Sequence, residues 1–199
     1  MNKNNTYESA WNDEDAEWYS KNCGEHLSTI LSVQLANLKP SDVVLDIGCG
    51  SGNSCRKAAE FTVTGKVIGI DPTPGMIRIA KRLSKKEILQ NRINYFYGYA
   101  EDIPFSNKSV DVVLAINSIF HWGNIKKGIL ETFRVLKSNK FFFIADQLKN
   151  DNTMNAKGKL AYAENMILLL KNLGFNKSSY KIYNIKNDQM IFFSSKKVD

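Results

Sequence analysis

The sequence predicts an α/β fold, built as a doubly wound and mostly parallel sheet of seven strands with a C-terminal antiparallel hairpin strand. Short apolar runs rich in Val, Ile and aromatic residues alternate with longer amphipathic stretches. This alternation is typical of a parallel sheet whose two faces are covered by helices. The last two apolar runs are separated only by a short polar turn, which predicts a hairpin.

The elements follow one another along the chain. Pro74 suits the first turn of its helix because it has no amide hydrogen to lose there, and Gly174 can end the last helix in a left-handed conformation. Strands are predicted over Val43–Ile47, Val67–Ile70, Asn94–Tyr97, Val110–Ile116, Lys140–Ala145, Tyr180–Ile185 and Met190–Ser194, with a turn at Lys186–Asp188. Helices are predicted over His26–Leu38, Asn53–Phe61, Pro74–Ser84, Ile125–Leu136 and residues 156–173.

Length and composition predict one domain in a reduced, cytoplasmic setting. The chain has 199 residues, of which 43% are apolar and 24% charged, as in ordinary globular proteins. No apolar run approaches the ~20 residues that span a bilayer, and the polar start lacks the apolar core of a signal peptide. Cys23, Cys49 and Cys55 have neither metal-ligand spacing nor an even count. We therefore expect no bound metal and no membrane insertion, with monomer and homodimer both left open.

The net charge of +7 is unevenly spread. Residues 1–30 hold six acids against two lysines, whereas residues 149–199 hold nine lysines against four acids. A basic end can contact nucleic acid or an acidic substrate. The lysines are dispersed and this stretch has no Arg, the better phosphate ligand, so a solvated surface is favoured and nucleic acid is not the expected partner.

A glycine-rich turn directly follows the first predicted strand. Residues 43–53 read Val-Val-Leu-Asp-Ile-Gly-Cys-Gly-Ser-Gly-Asn. Glycines permit a positive φ and the close approach of a ligand, and the helix start offers unpaired amides to an electronegative group. Dinucleotide-binding folds share this physics, but their third glycine comes one residue later than in Gly48-x-Gly50-x-Gly52.

Two carboxylates stand at strand ends. Asp46 needs a partner if it is buried; either a ligand ammonium group or the backbone amides of the loop would serve. Asp71 follows Gly52 by 19 residues, where a carboxylate can accept both hydroxyls of a ribose; the alternative is a helix cap ahead of Pro74. Met76 can pack on an adenine face or in the core.

These residues resemble the class I S-adenosylmethionine (SAM)-dependent methyltransferases, especially the branch with the ubiquinone and menaquinone C-methyltransferases (methyltransferase domain types 11 and 25). The similarity covers about residues 42–147. The resemblance implies a Rossmann-like fold and an enzyme that transfers a methyl group from SAM and releases S-adenosylhomocysteine (SAH). Four segments carry it in order: Val44–Gly52 resembles the first motif, Ala100–Phe105 the adenine-side loop, Ser109–Leu114 the fourth strand, and Glu131–Lys137 the helix before the fifth strand.

The resemblance also implies a cofactor site and a division of the chain. Asp46 and Gly48 would face the methionine portion, Asp71 the ribose, and Ala100–Glu101 the adenine. The division is an N-terminal lid (1–24), a cofactor-binding core (25–147) and a C-terminal helix and hairpin (148–199). The predicted cofactor-binding residues are Tyr19, Asp46, Gly48, Cys49, Gly50, Gly52, Asp71, Pro72, Met76, Ala100, Glu101, Asp102 and Asn117.

Two positions depart from the family pattern. The family often has an acid before the Ala-Glu pair to accept from the adenine amino group, and this chain has Tyr99. Adenine recognition would then fall to Glu101, Asp102 or backbone groups. The turn Ser138–Lys140 stands where Pro-Gly-Gly is usual, and Asn139 tolerates the left-handed conformation that such a turn requires.

Methyl transfer from a sulfonium is a direct displacement, so alignment and exclusion of water matter more than acid–base groups. Asn117 would stand beside the sulfonium and the substrate. His121 can serve as a general base or can pack beside Trp122. The segment resembles the Asn/Asp-Pro-Pro-aromatic signature of amino-group methyltransferases but lacks both prolines, which argues against methylation of adenine or glutamine nitrogen.

The N-terminal segment carries the aromatic residues Tyr7, Trp11, Trp18 and Tyr19 among acidic residues. It can fold over the cofactor as a lid, since aromatic faces suit a sulfonium cation, or pack against the sheet edge. We expect a small-molecule acceptor, because the chain carries no appended nucleic-acid module. A non-catalytic SAM-binding subunit and an RNA methyltransferase that uses the basic C-terminal region are the alternatives.

Overall fold

A seven-stranded sheet organises the fold, and the predicted α/β class is confirmed. The computed structural model describes residues 12–23, 26–148, 155–186 and 188–198. The strand order is β3-β2-β1-β4-β5-β7-β6. Neighbouring strands among β1 to β5 run parallel, and β7 pairs antiparallel with both β5 and β6. The strands are β1 (Val43–Ile47), β2 (Lys66–Asp71), β3 (Ile93–Tyr97), β4 (Val110–Ile116), β5 (Leu136–Leu148), β6 (Lys177–Ile185) and β7 (Asp188–Lys196).

Helices cover the sheet on both faces. Within the described ranges they are α1 (Asp13–Cys23), α2 (Leu27–Leu35), α3 (Asn53–Phe61), α4 (Pro74–Leu83), α5 (Lys85–Leu89), α6 (Ile125–Val135) and α7 (Ala156–Asn172), with a short 3-10 turn over Ile119–His121. In this part of the chain, no helix is both long enough and apolar enough to cross a bilayer.

All seven predicted strands form, and the differences are the ends of some elements and two additional helices. Strand β5 begins at Leu136, which pairs with Val110 of β4, rather than at Lys140, and it ends at Leu148 rather than Ala145 because pairing with β7 continues to Gln189. Helices α1 and α5 were not predicted. Their sequences lack an apolar stripe: α1 buries Ala16 fully, and α5 buries none of its residues.

The core lies on both sides of the sheet, which explains why the strands read as continuous apolar runs. Leu45, Phe142 and Phe193 belong to a buried cluster that includes residues of α6 and α7. Val44 and Phe192 belong to a second cluster that includes residues of α2 and α3. Successive side chains of a strand point to opposite faces, so each central strand supplies both clusters.

The topology leaves a crevice between β1 and β4. From β1 the chain moves outward through β2 to β3, then crosses back to β4 on the other side of β1. The connections that leave β1 and β4 therefore diverge at the carboxyl edge, which is where ligands bind in open α/β sheets. The glycine-rich loop after β1 lies at this point.

Two predicted left-handed positions are found in the structure. Asn139 has a φ of 63° and Gly174 a φ of 102°. Gly174 follows the last turn of α7, and its N–H donates to the Lys171 carbonyl at 3.1 Å.

Replacing Gly174 with Ala should therefore destabilise the fold. A residue with a Cβ is strained at this φ, and the new Cβ would lie 2.9 Å from Cε2 of Phe133. We expect Gly174→Ala to lower the free energy of unfolding by about 1–3 kcal/mol, measured by urea denaturation. Gly98→Ala is the control, since its Cβ would meet its nearest atoms at 3.7 Å. Equal stability of the two variants would contradict the left-handed, tightly packed conformation of Gly174.

Candidate functional site

A cavity of about 290 Å³ lies at the carboxyl edge of the sheet. This volume is near the lower end of the range for small-molecule sites. Ten of the predicted site residues line it: Tyr19, Gly48, Gly50, Asp71, Pro72, Met76, Ala100, Glu101, Asn117 and His121. Four others, Asp46, Cys49, Gly52 and Asp102, are not among the described residues that line it.

The glycine loop needs its glycines for both conformation and space. Gly48 has a φ of 73°, and a Cβ there would lie 2.6 Å from the Cβ of Ser118. Gly52 has a φ of 80°, and its Cβ would lie 2.3 Å from the Tyr95 hydroxyl oxygen. Gly48 and Gly50 line the cavity with bare backbone, so a ligand can approach them closely.

Asp46 is turned away from the cavity. Its carboxylate accepts a hydrogen bond from the Ser54 hydroxyl, and the Cys55 thiol donates to it at 3.4 Å. Burial raises the pKa of Asp46 to about 6, opposed by these two hydrogen bonds. The described contacts of the side chain are therefore with α3, rather than with either of the two partners expected from the sequence.

Asp71 faces the cavity from the end of β2. Its Oδ2 accepts from the Gly50 N–H at 2.9 Å and its Oδ1 from the Thr73 N–H at 2.8 Å. Burial raises the pKa of this carboxyl, which is only 7% exposed. Each carboxylate oxygen has two lone pairs, so both oxygens can still accept from a ligand diol. Asp71 therefore holds the glycine loop in place and also presents hydrogen-bond acceptors to the cavity.

The wall beyond Asp71 comes from the loop after β3. Glu101 is 3% exposed and its Oε1 accepts from the Asn124 N–H at 2.7 Å, just ahead of α6. Asp102 is exposed, and its N–H donates to the Tyr99 carbonyl at 3.3 Å. Tyr99 lines the cavity, and its hydroxyl is hydrogen-bonded to that of Tyr97.

The opposite wall follows β4. Asn117 adopts a φ of 51°; its Oδ1 accepts from the Gln147 N–H at 2.8 Å, and its Nδ2 donates to Ser28 Oγ at 3.4 Å. Its amide therefore joins β4, β5 and α2. His121 is an exposed residue on the cavity wall. Within the described ranges, no carboxylate is hydrogen-bonded to its imidazole, so a base of the paired His–acid type is not preformed.

A buried polar pair near this wall was missed by the sequence reasoning. The Tyr162 hydroxyl donates to Asp146 Oδ2 at 2.7 Å, and the Phe120 ring lies against the Tyr162 ring with centroids 5.1 Å apart. Burial raises the pKa of Asp146 to about 6. The sequence shows an acid directly after the apolar run that ends at Ala145, but it does not indicate that this acid pairs with a residue of α7.

Helix α1 packs on α4 and brings Tyr19 to the cavity. Ala16 is fully buried in a small cluster with Met76 and Ile79. Two exposed ion pairs, Arg78 with Asp13 and Arg82 with Glu17, join the same helices. Trp18 is 61% exposed and does not belong to this cluster. Tyr7 and Trp11, predicted for the same lid, lie outside the described residues.

These features fit a nucleoside cofactor. The glycine loop gives close backbone contact, Asp71 offers acceptors for a ribose, and the apolar Met76 and Ala100 can flank a base. The fold and the site together define a nucleoside-binding α/β protein of the Rossmann-like type.

Comparison with known proteins identifies the family. The family model described as "Methyltransferase domain" matches residues 45–144, about half of the chain, and the chain belongs to this family of SAM-dependent methyltransferases. A 2-phytyl-1,4-naphtoquinone methyltransferase of Synechocystis is 28% identical, with 72% of this chain and 60% of the relative covered. A sarcosine/dimethylglycine N-methyltransferase of Aphanothece halophytica is 34% identical, with 60% of this chain and 43% of the relative covered.

The fold match extends over more of the chain. A crystal structure of a SAM-dependent methyltransferase from Aquifex aeolicus has a TM-score of 0.75 at 18% identity, covering 94% of this chain and all of that one. This likeness shows the fold. The chain spans about half the length of the curated relatives that it matches.

The Asp146 carboxyl should make stability depend on pH. Its folded-state pKa of about 6 is above the ordinary value of 3.8, so the folded chain binds more protons between these values. Stability should therefore fall as the pH rises from about 4 to 6. We expect Asp146→Asn to remove up to about 3 kcal/mol of this decline, measured by urea unfolding from pH 4 to 7. Asp46 contributes to the same fall in stability, because its pKa is also raised. If Asp146→Asn leaves the dependence of the unfolding free energy on pH unchanged, the raised pKa of Asp146 is contradicted.

Tyr19 and Trp18 provide a matched pair on α1. Tyr19 lines the cavity, whereas its neighbour Trp18 is exposed. We expect Tyr19→Ala to weaken SAH binding several-fold through lost contact area, and Trp18→Ala to leave it unchanged, as measured by isothermal titration calorimetry. Equal effects of the two substitutions would argue against α1 as a wall of the ligand site.

Proposed function

We propose that this protein transfers a methyl group from SAM to a small-molecule acceptor by direct displacement. One observation carries the proposal: a single cavity at the carboxyl edge runs from the loop after β3, past Asp71 and the glycine loop, to the residues after β4. A nucleoside cofactor held along this path places its reactive end near Asn117 and His121. The family membership and the fold support the same assignment.

Each part of the cavity has its own task. Asp71 accepts the ribose hydroxyls, while the bare backbone at Gly48 and Gly50 lets the methionine portion lie against β1. Asp46 acts indirectly, since its contact with Ser54 joins the end of β1 to the first turn of α3. Cys49 and Gly52 likewise act by shaping the loop. Tyr19 on α1 covers the cofactor from the solvent side as part of the lid.

The residues after β4 shape the transfer step. SAM supplies a methyl group that is already activated on a sulfonium, so alignment and exclusion of water provide most of the rate enhancement. Asn117 acts as a rigid wall, because Gln147 and Ser28 occupy its amide. His121 is accessible on the cavity wall and can accept a proton from an acceptor hydroxyl or amine.

A small acceptor suits the site for two reasons. The methyl end is bounded by the short turn after β4, with His121 and Trp122 on the wall of a concave cavity. The names of two relatives specify a phytyl naphthoquinone and sarcosine or dimethylglycine as their substrates. These substrates differ widely in structure, and both are small molecules.

Calorimetric titration with SAM, SAH and NAD tests the cofactor assignment. We expect micromolar binding of both adenosyl ligands and no binding of NAD. Asp71→Ala removes charged hydrogen-bond acceptors and should weaken SAH binding about 10- to 100-fold, with Asp71→Asn losing less. Glu60→Gln, on the exposed end of α3, is the control and should bind as the parent does.

Transfer of labelled methyl groups then tests the acceptor. Incorporation from SAM into a panel of quinones, amines and hydroxylated small molecules is the expected outcome. Incorporation into RNA with none into small molecules would overturn the acceptor class. Binding of NAD alone would overturn the cofactor assignment itself.

A further inference from the structure

The outer edge of β3 is an open edge of the sheet. Among the described strands, β3 pairs only with β2. The Arg92 carbonyl, just ahead of β3, accepts from the Val67 N–H at 2.9 Å, and the Gly98 N–H, just after β3, donates to the last residue of β2 at 3.2 Å. Because backbone groups alternate sides along a strand, every second residue of β3 directs its N–H and carbonyl away from β2. These outward residues are Ile93, Tyr95 and Tyr97.

The outward backbone groups of β3 can bind an added strand. In the described part of the chain, no recorded hydrogen bond to a loop or to another strand involves them. Each of these residues carries one N–H donor and one carbonyl acceptor, so the edge presents a regular row of both. Such a row is a template for an extended segment, whose main chain supplies affinity while its side chains supply specificity.

A second concavity, of about 640 Å³, lies beside this edge. Leu89 on its wall is 87% exposed, the highest value for a large apolar side chain in the described ranges, and Phe96 is 43% exposed. Exposed apolar side chains that lie together beside an open strand are typical of an interaction surface. This edge concavity is lined by residues of α4, α5 and β3, among them Lys81, Lys85, Ile88, Leu89, Tyr95 and Phe96.

The edge concavity is positively charged. Lys81 and Lys85 line it, and none of the described lining residues is acidic. Within the described ranges, neither ammonium group takes part in an ion pair. Interfaces match charges of opposite sign and exclude partners that bring like charges together. A partner at this edge is therefore expected to supply carboxylates.

We propose that the β3 edge binds an extended segment of another protein, which joins the sheet as a strand and alternates acidic with apolar side chains. Its main chain pairs with the outward backbone groups of β3. Its carboxylates face Lys81 and Lys85, while its apolar side chains cover Leu89 and Phe96. None of the described residues that line the edge concavity also lines the cavity at the carboxyl edge, so this inference does not depend on the cofactor assignment.

A second copy of this chain is a less suitable occupant. Antiparallel pairing of two β3 strands about Tyr95 would align the outward residues of both copies. The two-fold axis would then keep the same face of each sheet on one side, so Lys81 and Lys85 of both copies would approach one another. Such like-charge contacts oppose association, and the net charge of +7 on each chain acts in the same direction.

A short peptide tests the proposed surface. The probe is a fluorescein-labelled heptapeptide that alternates valine with glutamate, titrated into the full chain by fluorescence anisotropy. We expect saturable binding, and binding at least about tenfold weaker for a matched peptide with lysine in place of glutamate. A glutamate peptide with proline at its centre should also bind more weakly, because proline cannot donate to the strand ladder. No binding of the glutamate peptide, or equal binding of all three, would overturn the proposal.

Charge exchange locates the contact on the protein. The double variant Lys81→Glu/Lys85→Glu should invert the preference, so that the lysine peptide binds more tightly than the glutamate peptide. Lys177→Glu/Lys181→Glu, on exposed positions of β6 at the other edge of the sheet, is the matched control and should keep the parent preference. Circular dichroism and thermal unfolding establish that both variants are folded. A Lys81→Glu/Lys85→Glu variant that still prefers the glutamate peptide would refute the charge contact.

Amide hydrogen exchange, followed by NMR, identifies the paired strand. With the glutamate peptide bound, the amides of Ile93, Tyr95 and Tyr97 should exchange at least about tenfold more slowly, while those of β6 should not change. Protection of β6 alone, or binding that leaves the three β3 amides unprotected, would overturn strand addition at β3. A dimer of the parent chain, detected by sedimentation equilibrium and protecting the same three amides, would identify a second copy as the occupant and overturn the acidic partner.

Discussion

The close approach of the Gly48 backbone to Ser118 determines the geometry of the whole carboxyl edge. The Gly48 N–H donates to the Ile70 carbonyl at 2.8 Å, and the Ser118 hydroxyl donates to the Ile47 carbonyl at 2.6 Å. These two bonds tie the ends of β1, β2 and β4 together. With no side chain at position 48, the strands can end this near one another and still leave a cavity in front of them.

Two carboxylates at this edge of the sheet have different hydrogen-bond partners. Asp46 and Asp71 both stand at ends of central strands, and burial raises the pKa of each. Asp46 is occupied by side chains of α3, which makes it part of the frame. Asp71 is occupied by backbone amides that point at it from the cavity rim, so it can contact a ligand without changing its protein partners. Both side chains leave the same face of the sheet, so the difference lies in their position along the strands: Asp46 still lies within β1, whereas Asp71 is the last residue of β2.

Much of the fold could be predicted because the central strands are buried on both faces and therefore stand out as apolar runs. Helix α1 could not, since it buries one Ala and is held by the ion pairs of Asp13 and Glu17, which no local pattern reveals. Within the candidate site, the glycines and Asp71 followed from spacing. Three contacts depend on side chains that meet only in three dimensions: Asp46 with Ser54, Asp146 with Tyr162, and Tyr97 with Tyr99.

The attachment of α1 to α4 depends on the salt concentration. Its two ion pairs with α4 are largely solvent-exposed, and surface ion pairs weaken as the ionic strength rises. The apolar contact of Ala16 with Met76 is unaffected by salt. Ionic strength therefore affects the attachment of α1 to α4 more than the sheet beneath it. Under the proposed function, in which α1 covers the cofactor, product should leave faster at physiological ionic strength than in dilute buffer.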